Sequence, residues 1–153
     1  MPRSLDNSTT QPLVSEILQK VHNAKTKAEK ISILQKYNSQ ALRTVLIWNY
    51  DESVVSMIPE GEVPYTPNEA PAGTEHTSLL KEASKLYYFV KGGADSLPSL
   101  KRETMFIQLL EGLHKTDAEV CILAKDKKLQ DKYRITKTVV SEAFPQIKWG
   151  GRS

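Results

Sequence analysis

Hydrophobic residues recur along most of the chain at the three- and four-residue spacing of an α-helix. In the first third of the sequence, short polar stretches separate the apolar runs, and Thr26 with Glu29 has the spacing of a capping box. The pattern in this part predicts three helices, over residues 13–23, 26–37 and 39–51. The third is the most apolar of them, so we expect it to lie in the core.

A fourth helix is predicted over residues 77–91. The face expected to point inward carries Leu79, Leu80, Ala83, Leu86, Tyr87 and Val90. Core packing is the favoured interpretation of the aromatic run that Tyr87 opens, although such side chains also stack on single-stranded bases. A fifth helix, over 98–112, is expected to bury Leu100 among its apolar residues.

Residues 54–75 interrupt the helical pattern. They hold four prolines and two glycines, and proline removes a backbone donor and blocks helix formation. They also carry more apolar residues than a free linker needs, among them Val54, Ile58 and Tyr65. We therefore expect an extended proline-rich arm that lies along the helices and covers part of the core, with a short strand-like piece over 54–58. A flexible hinge is the alternative.

Two short helices are predicted near the C-terminus, with basic residues between them. Thr116 and Glu119 have capping-box spacing at the start of the first helix, and Thr136 opens the second, which Pro145 ends. The positive charge is concentrated in Lys125, Lys127, Lys128, Lys132, Arg134 and Lys137. Lysine and arginine side chains and helix N-termini are groups that bind phosphates. The segment is therefore a candidate phosphate-binding surface.

Charge is unevenly distributed, although the net charge of the 153-residue chain is only +3. Residues 1–50 and 97–153 carry an excess of lysine and arginine, whereas residues 51–96 are acidic. If the fold brings the two basic flanks to one side, a positive face results. The alternative is that these charges belong to solvated helix faces without a common function.

The composition is typical of one soluble globular domain, with 39% hydrophobic and 25% charged residues. We predict an all-α single domain of about seven helices with the extended proline-rich arm. Its parts are a polar tail over 1–12, a helical domain over 13–149 that includes the arm, and a flexible tail over 150–153. The polar N-terminus is not expected to be a signal peptide, and no apolar run is long enough to span a membrane.

No residue pattern typical of an active site is present in the sequence. There is no glycine-rich phosphate loop, and His22, His76 and His114 are far apart, without another metal ligand at suitable spacing. The one cysteine, Cys121, lies on an apolar helix face, where a buried structural thiol is favoured over a nucleophile. We therefore predict a non-enzymatic protein without a cofactor or a metal site.

Two segments of the chain carry, in the same order, patterns that recur in one family. The first runs from Lys25 through Ile33-Leu34-Gln35-Lys36 to Asn49-Tyr50-Asp51, and the second reads Asp117-Ala118-Glu119, then Lys125-Asp126-Lys127-Lys128-Leu129, then Phe144-Pro145. Together they resemble the opening and the end of the N-terminal helical DNA-binding domain of ATP-dependent DNA ligases of the T-even-phage type. The chain is also similar to short stand-alone proteins of marine T-even-type phages.

The resemblance implies a DNA-binding module without the catalytic part, because a ligase carries adenylate on the lysine of a Lys-x-Asp-Gly tetrad and this sequence has none. It implies contacts from the basic segment to the phosphate backbone of double-stranded DNA, with support from Lys25 and Lys27. The family usually has arginine in the basic segment, so lysine here favours point-charge attraction over bidentate clamping. The expected place of action is the host cytoplasm.

A second hypothesis is a virion-associated or protein-interaction module that keeps the helical scaffold without DNA binding, since a scaffold does not fix a function. The acidic middle and the apolar-rich arm suit a phage or host protein as partner. No membrane partner is expected.

Overall fold

A computed structural model describes residues 12–69 and 77–152 of the chain. In these ranges it contains seven α-helices and no β-sheet, which confirms the predicted all-α single domain. The α-helices are α1 (Val14–Asn23), α2 (Lys27–Lys36), α3 (Gln40–Tyr50), α4 (Leu79–Glu82), α5 (Ser99–Gly112), α6 (Lys115–Lys125) and α7 (Lys137–Ala143). Two 3-10 helices follow α4 and α6, namely η1 (Ala83–Phe89) and η2 (Leu129–Asp131).

Side-chain caps fix where α2, α3 and α7 begin. The Thr26 hydroxyl accepts a hydrogen bond from the backbone N–H of Glu29, and the Glu29 carboxylate accepts one from the N–H of Thr26, both at 3.1 Å. The predicted capping box is therefore confirmed. Ser39 caps α3 and Thr136 caps α7, each by accepting from the N–H three residues further on. These local signals explain why the sequence predicts the starts of the three helices well.

The core is built around α3, as predicted. This helix packs against α6, α4 and η1, and its Leu42, Val45 and Leu46 are fully buried. From α6, Val120 and Cys121 are fully buried as well. Burying a large apolar side chain stabilises the fold by about 1.5–3 kcal/mol. Burial raises the pKa of the Cys121 thiol, which agrees with the packing role predicted for it.

The prediction of one α-helix over 77–91 is wrong in its second half. One α-helical turn, α4, is followed by the 3-10 helix η1, in which side chains repeat every three residues instead of every 3.6. As a result Phe89 is buried, whereas Tyr87 is 45% exposed and stacks on Tyr88 with ring centroids 4.3 Å apart. Leu80 is also 45% exposed, so the prediction of an inward position is wrong for Leu80 and Tyr87. It is confirmed for Leu79, Ala83 and Leu86, which are buried in the core.

A backbone pairing across the chain explains where η1 ends. Ser56 and Val90 form an isolated antiparallel bridge, and the N–H of Met57 donates to the carbonyl oxygen of Phe89 at 2.7 Å. This pairing needs extended backbone at Val90, which has φ −126° and ψ 151°. The helix therefore stops at Phe89, two residues earlier than the sequence predicts, because of a pairing with residues more than thirty positions away along the chain.

Residues 54–69 contain no helix. Val54 and Ile58 are buried, and Tyr65 is partly buried against the same core. The remainder of the predicted arm and nearly all of the predicted N-terminal tail lie outside the described residues.

Leu100, which was expected to be buried, is 78% exposed. α5 instead turns Arg102, Phe106 and Leu110 toward the core, at four-residue spacing, and Leu100 lies off this face. The Arg102 guanidinium is satisfied there, because its Nε donates to the carbonyl oxygen of Tyr88 at 3.0 Å. The prediction for Leu100 is wrong because the inward face of α5 starts with a buried arginine.

The start of α6 also differs from the prediction. The helix begins at Lys115, and its cap is His114, whose Nδ1 accepts a hydrogen bond from the N–H of Thr116 at 3.2 Å. Glu119 does not close a capping box, because its carboxylate pairs with Lys132. The predicted capping box at Thr116 is therefore wrong.

The last described residues are held against the fold, although the sequence predicts a flexible tail there. Oδ2 of Asp51 accepts hydrogen bonds from the N–H of Gly150 at 3.0 Å and from Nη1 of Arg152 at 2.9 Å. The Ser53 hydroxyl oxygen accepts a further bond from the N–H of Arg152 at 3.0 Å. The chain end is thus fastened where α3 ends.

Candidate nucleic-acid interface

Lys125 is buried at the C-terminal end of α6, with 3% exposure. Its ammonium group donates hydrogen bonds to the carbonyl oxygens of Pro59 and Gly61, both at 2.9 Å, and to Oδ1 of Asp126 at 2.7 Å. All three ammonium donors are therefore used. The prediction that Lys125 contacts phosphate is wrong, because this lysine fastens the 54–69 segment to α6.

Lys127 also has a structural partner. Its ammonium group donates to the carbonyl oxygens of Trp48 at 2.7 Å and Asp51 at 2.8 Å, at the C-terminal end of α3, where the helix dipole attracts positive charge. Burial lowers the pKa of Lys127, while the charges of Asp51 and Glu52 act in the opposite direction. Lys127 caps α3, so its predicted role as a phosphate contact is wrong too.

Lys128 and Lys132 are exposed, but each is paired with a carboxylate. Nζ of Lys128 lies 3.4 Å from Oε2 of Glu60, and the two side chains are 51% and 72% exposed. Lys132 pairs with Glu119 of α6. Exposed pairs of this kind contribute about 0–1 kcal/mol and open readily, yet they reduce the local positive charge. The predicted cluster therefore does not form one uniform positive surface.

Arg134 does not lie with these lysines; its backbone contacts α1 and α2. Its backbone N–H donates to Nδ1 of His22 at 3.0 Å, at the end of α1. Its carbonyl oxygen accepts a hydrogen bond from Nζ of Lys30 on α2. Both backbone polar groups of Arg134 are thus held over the junction of α1 and α2, and the residue is exposed.

One of the predicted residues of α2, Lys27, contacts the C-terminal segment. α2 packs against α7, and Lys27 forms an ion pair with Glu142 of α7. Lys137 begins α7, and its Nζ lies 5.0 Å from the ring centroid of Trp149. Lys25 is exposed just before α2. The fold therefore brings α2 against the C-terminal segment, and both carry basic residues.

Lys30 is a member of this surface that the sequence reasoning missed. It follows Lys27 by three residues, the spacing that places two side chains on neighbouring positions of one helix face. That spacing is the signal in the sequence that points to Lys30.

We name these cations the Arg134 patch, which consists of Lys25, Lys30, Arg134 and Lys137. Among residues 12–69 and 77–152, none of the four side chains forms an ion pair. Of the acidic residues of α2 and α7, Glu142 pairs with Lys27, and the Glu29 carboxylate accepts the backbone N–H groups of Thr26 and of Lys25. Lys25, Arg134 and Lys137 are exposed and Lys30 is half-buried, so the patch presents positive charge to the solvent without an ion pair among the described residues.

The histidines at helix ends have backbone partners. Nδ1 of His22 and of His114 accepts from the N–H groups of Arg134 and Thr116, respectively. His76 lies outside the described residues. In the part of the chain that the structure describes, no three or more His, Cys, Asp or Glu side chains are grouped to hold a metal ion. Nor does any described helix have the length and apolar character that crossing a membrane requires.

Comparisons with known proteins return one family. No curated protein and no solved structure matches the chain. A family model matches residues 17–131, a range that contains most of the helical core, Lys25 and Lys30, and ends before Arg134. Because this match covers well over half of the sequence, the chain belongs to a family of unknown function, DUF6433.

Proposed function

We propose that the protein is a non-enzymatic accessory protein that binds duplex DNA through the phosphate backbone, with the Arg134 patch as its contact surface. The observation that carries the proposal is the anchoring of Arg134 at both of its backbone polar groups, beside Lys30. A guanidinium group on a fixed backbone needs little further ordering to clamp a phosphate, and its planar donors match phosphate oxygens in pairs.

The resemblance to the N-terminal DNA-binding domain of T-even-phage-type ligases supports the same partner. On this basis we propose that the protein acts as a phage accessory factor in the host cytoplasm. Our contact set differs from the one that the resemblance implies, because Lys125 and Lys127 hold the fold together. Lys25 and Arg134 remain in the set, and Lys30 joins it.

The test is a titration of a fluorescent duplex, followed by anisotropy, at about 50 mM and about 200 mM salt. The patch variant replaces three exposed cations and keeps Lys30, because its ammonium group holds the Arg134 backbone. A matched variant makes the same change in net charge on exposed lysines elsewhere. The patch variant is Lys25→Glu, Arg134→Glu, Lys137→Glu, and the matched variant is Lys81→Glu, Lys101→Glu, Lys115→Glu.

We expect the native protein to bind at low salt and to lose affinity steeply as salt rises, because counterions are released from DNA on binding. The patch variant should lose binding by about 100-fold or more, and the matched variant by only a few-fold, because only the former removes direct phosphate contacts. Absence of binding at low salt would remove the DNA proposal and favour the protein-interaction alternative. Equal losses in the two variants would remove the patch assignment.

A further inference from the structure

A groove of about 390 Å³ lies between α3 and η1, away from the Arg134 patch. Its apolar lining comes from both helices and from the start of the 54–69 segment, and includes Ile47, Trp48, Val54, Leu86 and Val90. The volume is at the lower end of the range for ligand pockets, about 300–1,000 Å³. It suits a few side chains of a bound segment rather than a large cofactor.

The 3-10 geometry of η1 produces one wall of the groove. In such a helix, side chains three residues apart are aligned, and Ser84 and Tyr87 have this spacing and both line the groove. Val90, where the backbone becomes extended, continues the same wall. Gly93 lies at the same wall, and a Cβ atom there would come within 2.0 Å of the carbonyl oxygen of Tyr87. The wall thus depends on a glycine that allows two stretches of backbone to approach closely.

The groove is flanked by apolar side chains that remain accessible. Tyr87 is 45% exposed, Leu80 in the preceding turn is 45% exposed, and Val55, next to Val54, is 44% exposed. Exposed apolar side chains that adjoin an apolar groove are typical of interaction surfaces. Of these three, Tyr87 lines the groove itself, and Leu80 and Val55 are neighbours in sequence of the elements that form it.

The charged residues that line the groove are Lys91 and Arg152, and both are cationic. Nη1 of Arg152 is paired with the buried Asp51, whereas the Lys91 ammonium has no hydrogen-bond or ion-pair partner within the described ranges. No carboxylate of the described residues lines the groove. An occupant that matches this surface has an apolar part that packs on the apolar floor of the groove, formed by residues such as Trp48 and Leu86. It has a negative charge that pairs with Lys91 at the rim.

We propose that the groove binds a segment of a partner protein in which a large apolar side chain is flanked by aspartate or glutamate. The apolar side chain occupies the space between Trp48 and Tyr87, and an acidic neighbour pairs with Lys91. This site is separate from the Arg134 patch, so the proposal is independent of DNA binding. A phosphate backbone fits the groove less well, because an apolar floor offers it no donors.

The experiment starts with selection of a displayed random peptide library on the full chain, followed by anisotropy with the enriched peptide carrying a fluorescein label. We expect enriched sequences with Leu, Met, Phe or Trp beside Asp or Glu. Ser84→Trp fills the groove and should weaken binding tenfold or more. Gln108→Trp on the exposed side of α5 is the matched control and should leave binding unchanged. Circular dichroism checks that both variants are folded.

A charge-reversal pair tests the rim without filling the groove. Lys91→Glu should weaken binding of the acidic peptide. A peptide with lysine in place of its acidic residues should bind the Lys91→Glu variant more tightly than it binds the native chain. Lys101→Glu, an exposed lysine outside the groove, should do neither. This reversal distinguishes a specific ion pair from a general effect of net charge.

Four results would overturn the proposal. One is a library selection with no enrichment over an unrelated helical protein. Another is equal peptide affinity of Ser84→Trp and the native chain. The third is displacement of the peptide by unlabelled duplex, because the occupant would then be nucleic acid. The fourth is a dimer in sedimentation that Ser84→Trp abolishes, because the occupant would then be a second copy.

Discussion

The ammonium nitrogen of Lys127 lies 2.7 Å from the carbonyl oxygen of Trp48, and the contact joins the loop after α6 to the C-terminal end of α3. Lys127 has φ 59°, a left-handed conformation that is unfavourable for a residue with a Cβ atom. The backbone turn that follows α6 therefore directs this lysine toward α3. A residue that the sequence suggests for DNA binding instead satisfies carbonyl groups that a helix end leaves without partners.

Replacement of Lys127 by methionine should destabilise the protein by about 1–2 kcal/mol, because the apolar stem is kept while the charged donor to two helix carbonyls is lost. Urea unfolding followed by circular dichroism measures the change. Lys128→Met is the matched control, because the side chain of Lys128 is exposed. This substitution should change the free energy of unfolding by less than about 0.5 kcal/mol. Equal effects of the two substitutions would contradict the capping role.

Lys125 and Asp126 should be energetically coupled. Lys125→Met leaves the Asp126 carboxylate, which is 8% exposed, without its ammonium partner, so we expect a loss of about 3–5 kcal/mol. Adding Asp126→Asn should recover part of this loss, because the uncompensated negative charge is then removed. A double-mutant cycle from urea unfolding gives the coupling. Losses that simply add would show that the two groups act independently.

Asp117 holds the first turn of α1 from another helix. Its Oδ1 accepts the N–H of Ser15 at 2.9 Å. Asp117→Asn keeps an oxygen acceptor and removes a buried charge, so it should leave stability at pH 7 unchanged or increase it. Asp117→Leu removes the acceptor and should lower the free energy of unfolding by about 1–3 kcal/mol. Thermal unfolding of the two variants provides the comparison, and a large loss in Asp117→Asn would contradict this account.

The pH dependence of Asp117 follows from its burial. Burial raises the pKa of Asp117, although hydrogen bonds from Ser15 oppose the shift. A raised folded-state pKa gives a stabilising contribution that is complete below the unfolded pKa of about 3.9 and is lost as pH rises through the folded pKa. The native chain should therefore gain stability relative to Asp117→Asn between pH 7 and pH 4. A constant difference between them would show that the carboxyl does not titrate abnormally.

The features that the sequence predicts well are those with local causes. The capping box of Thr26 and Glu29 involves groups three residues apart, so its spacing is visible in the sequence. Lys125 is buried because its ammonium group donates to carbonyl groups of the 54–69 segment, more than sixty residues away along the chain. No local sequence pattern around Lys125 indicates these contacts. The end of η1 at Phe89 likewise follows from the pairing of Ser56 with Val90. The sequence therefore predicts where the positively charged residues lie along the chain. It does not predict which of them are exposed and free to bind a ligand.

Asp51 should make the protein sensitive to acid. Burial alone would raise the pKa of this carboxyl, but hydrogen bonds from Ser53 and Gly150 and the charge of Arg152 together lower it. A lowered folded-state pKa gives a contribution that is present above the unfolded pKa of about 3.9 and is lost as pH falls through the folded pKa. The free energy of unfolding should therefore fall on acidification below about pH 4 more steeply in the native chain than in Asp51→Asn.

The matched control for this prediction is Glu52→Gln, which removes an exposed carboxylate next to Asp51 and should keep the acid sensitivity of the native chain. Urea unfolding at a series of pH values between about 3 and 7 gives the three profiles. If Asp51→Asn loses stability on acidification as steeply as the native chain, the carboxylate does not hold the chain end in the way its contacts with Gly150 and Arg152 require.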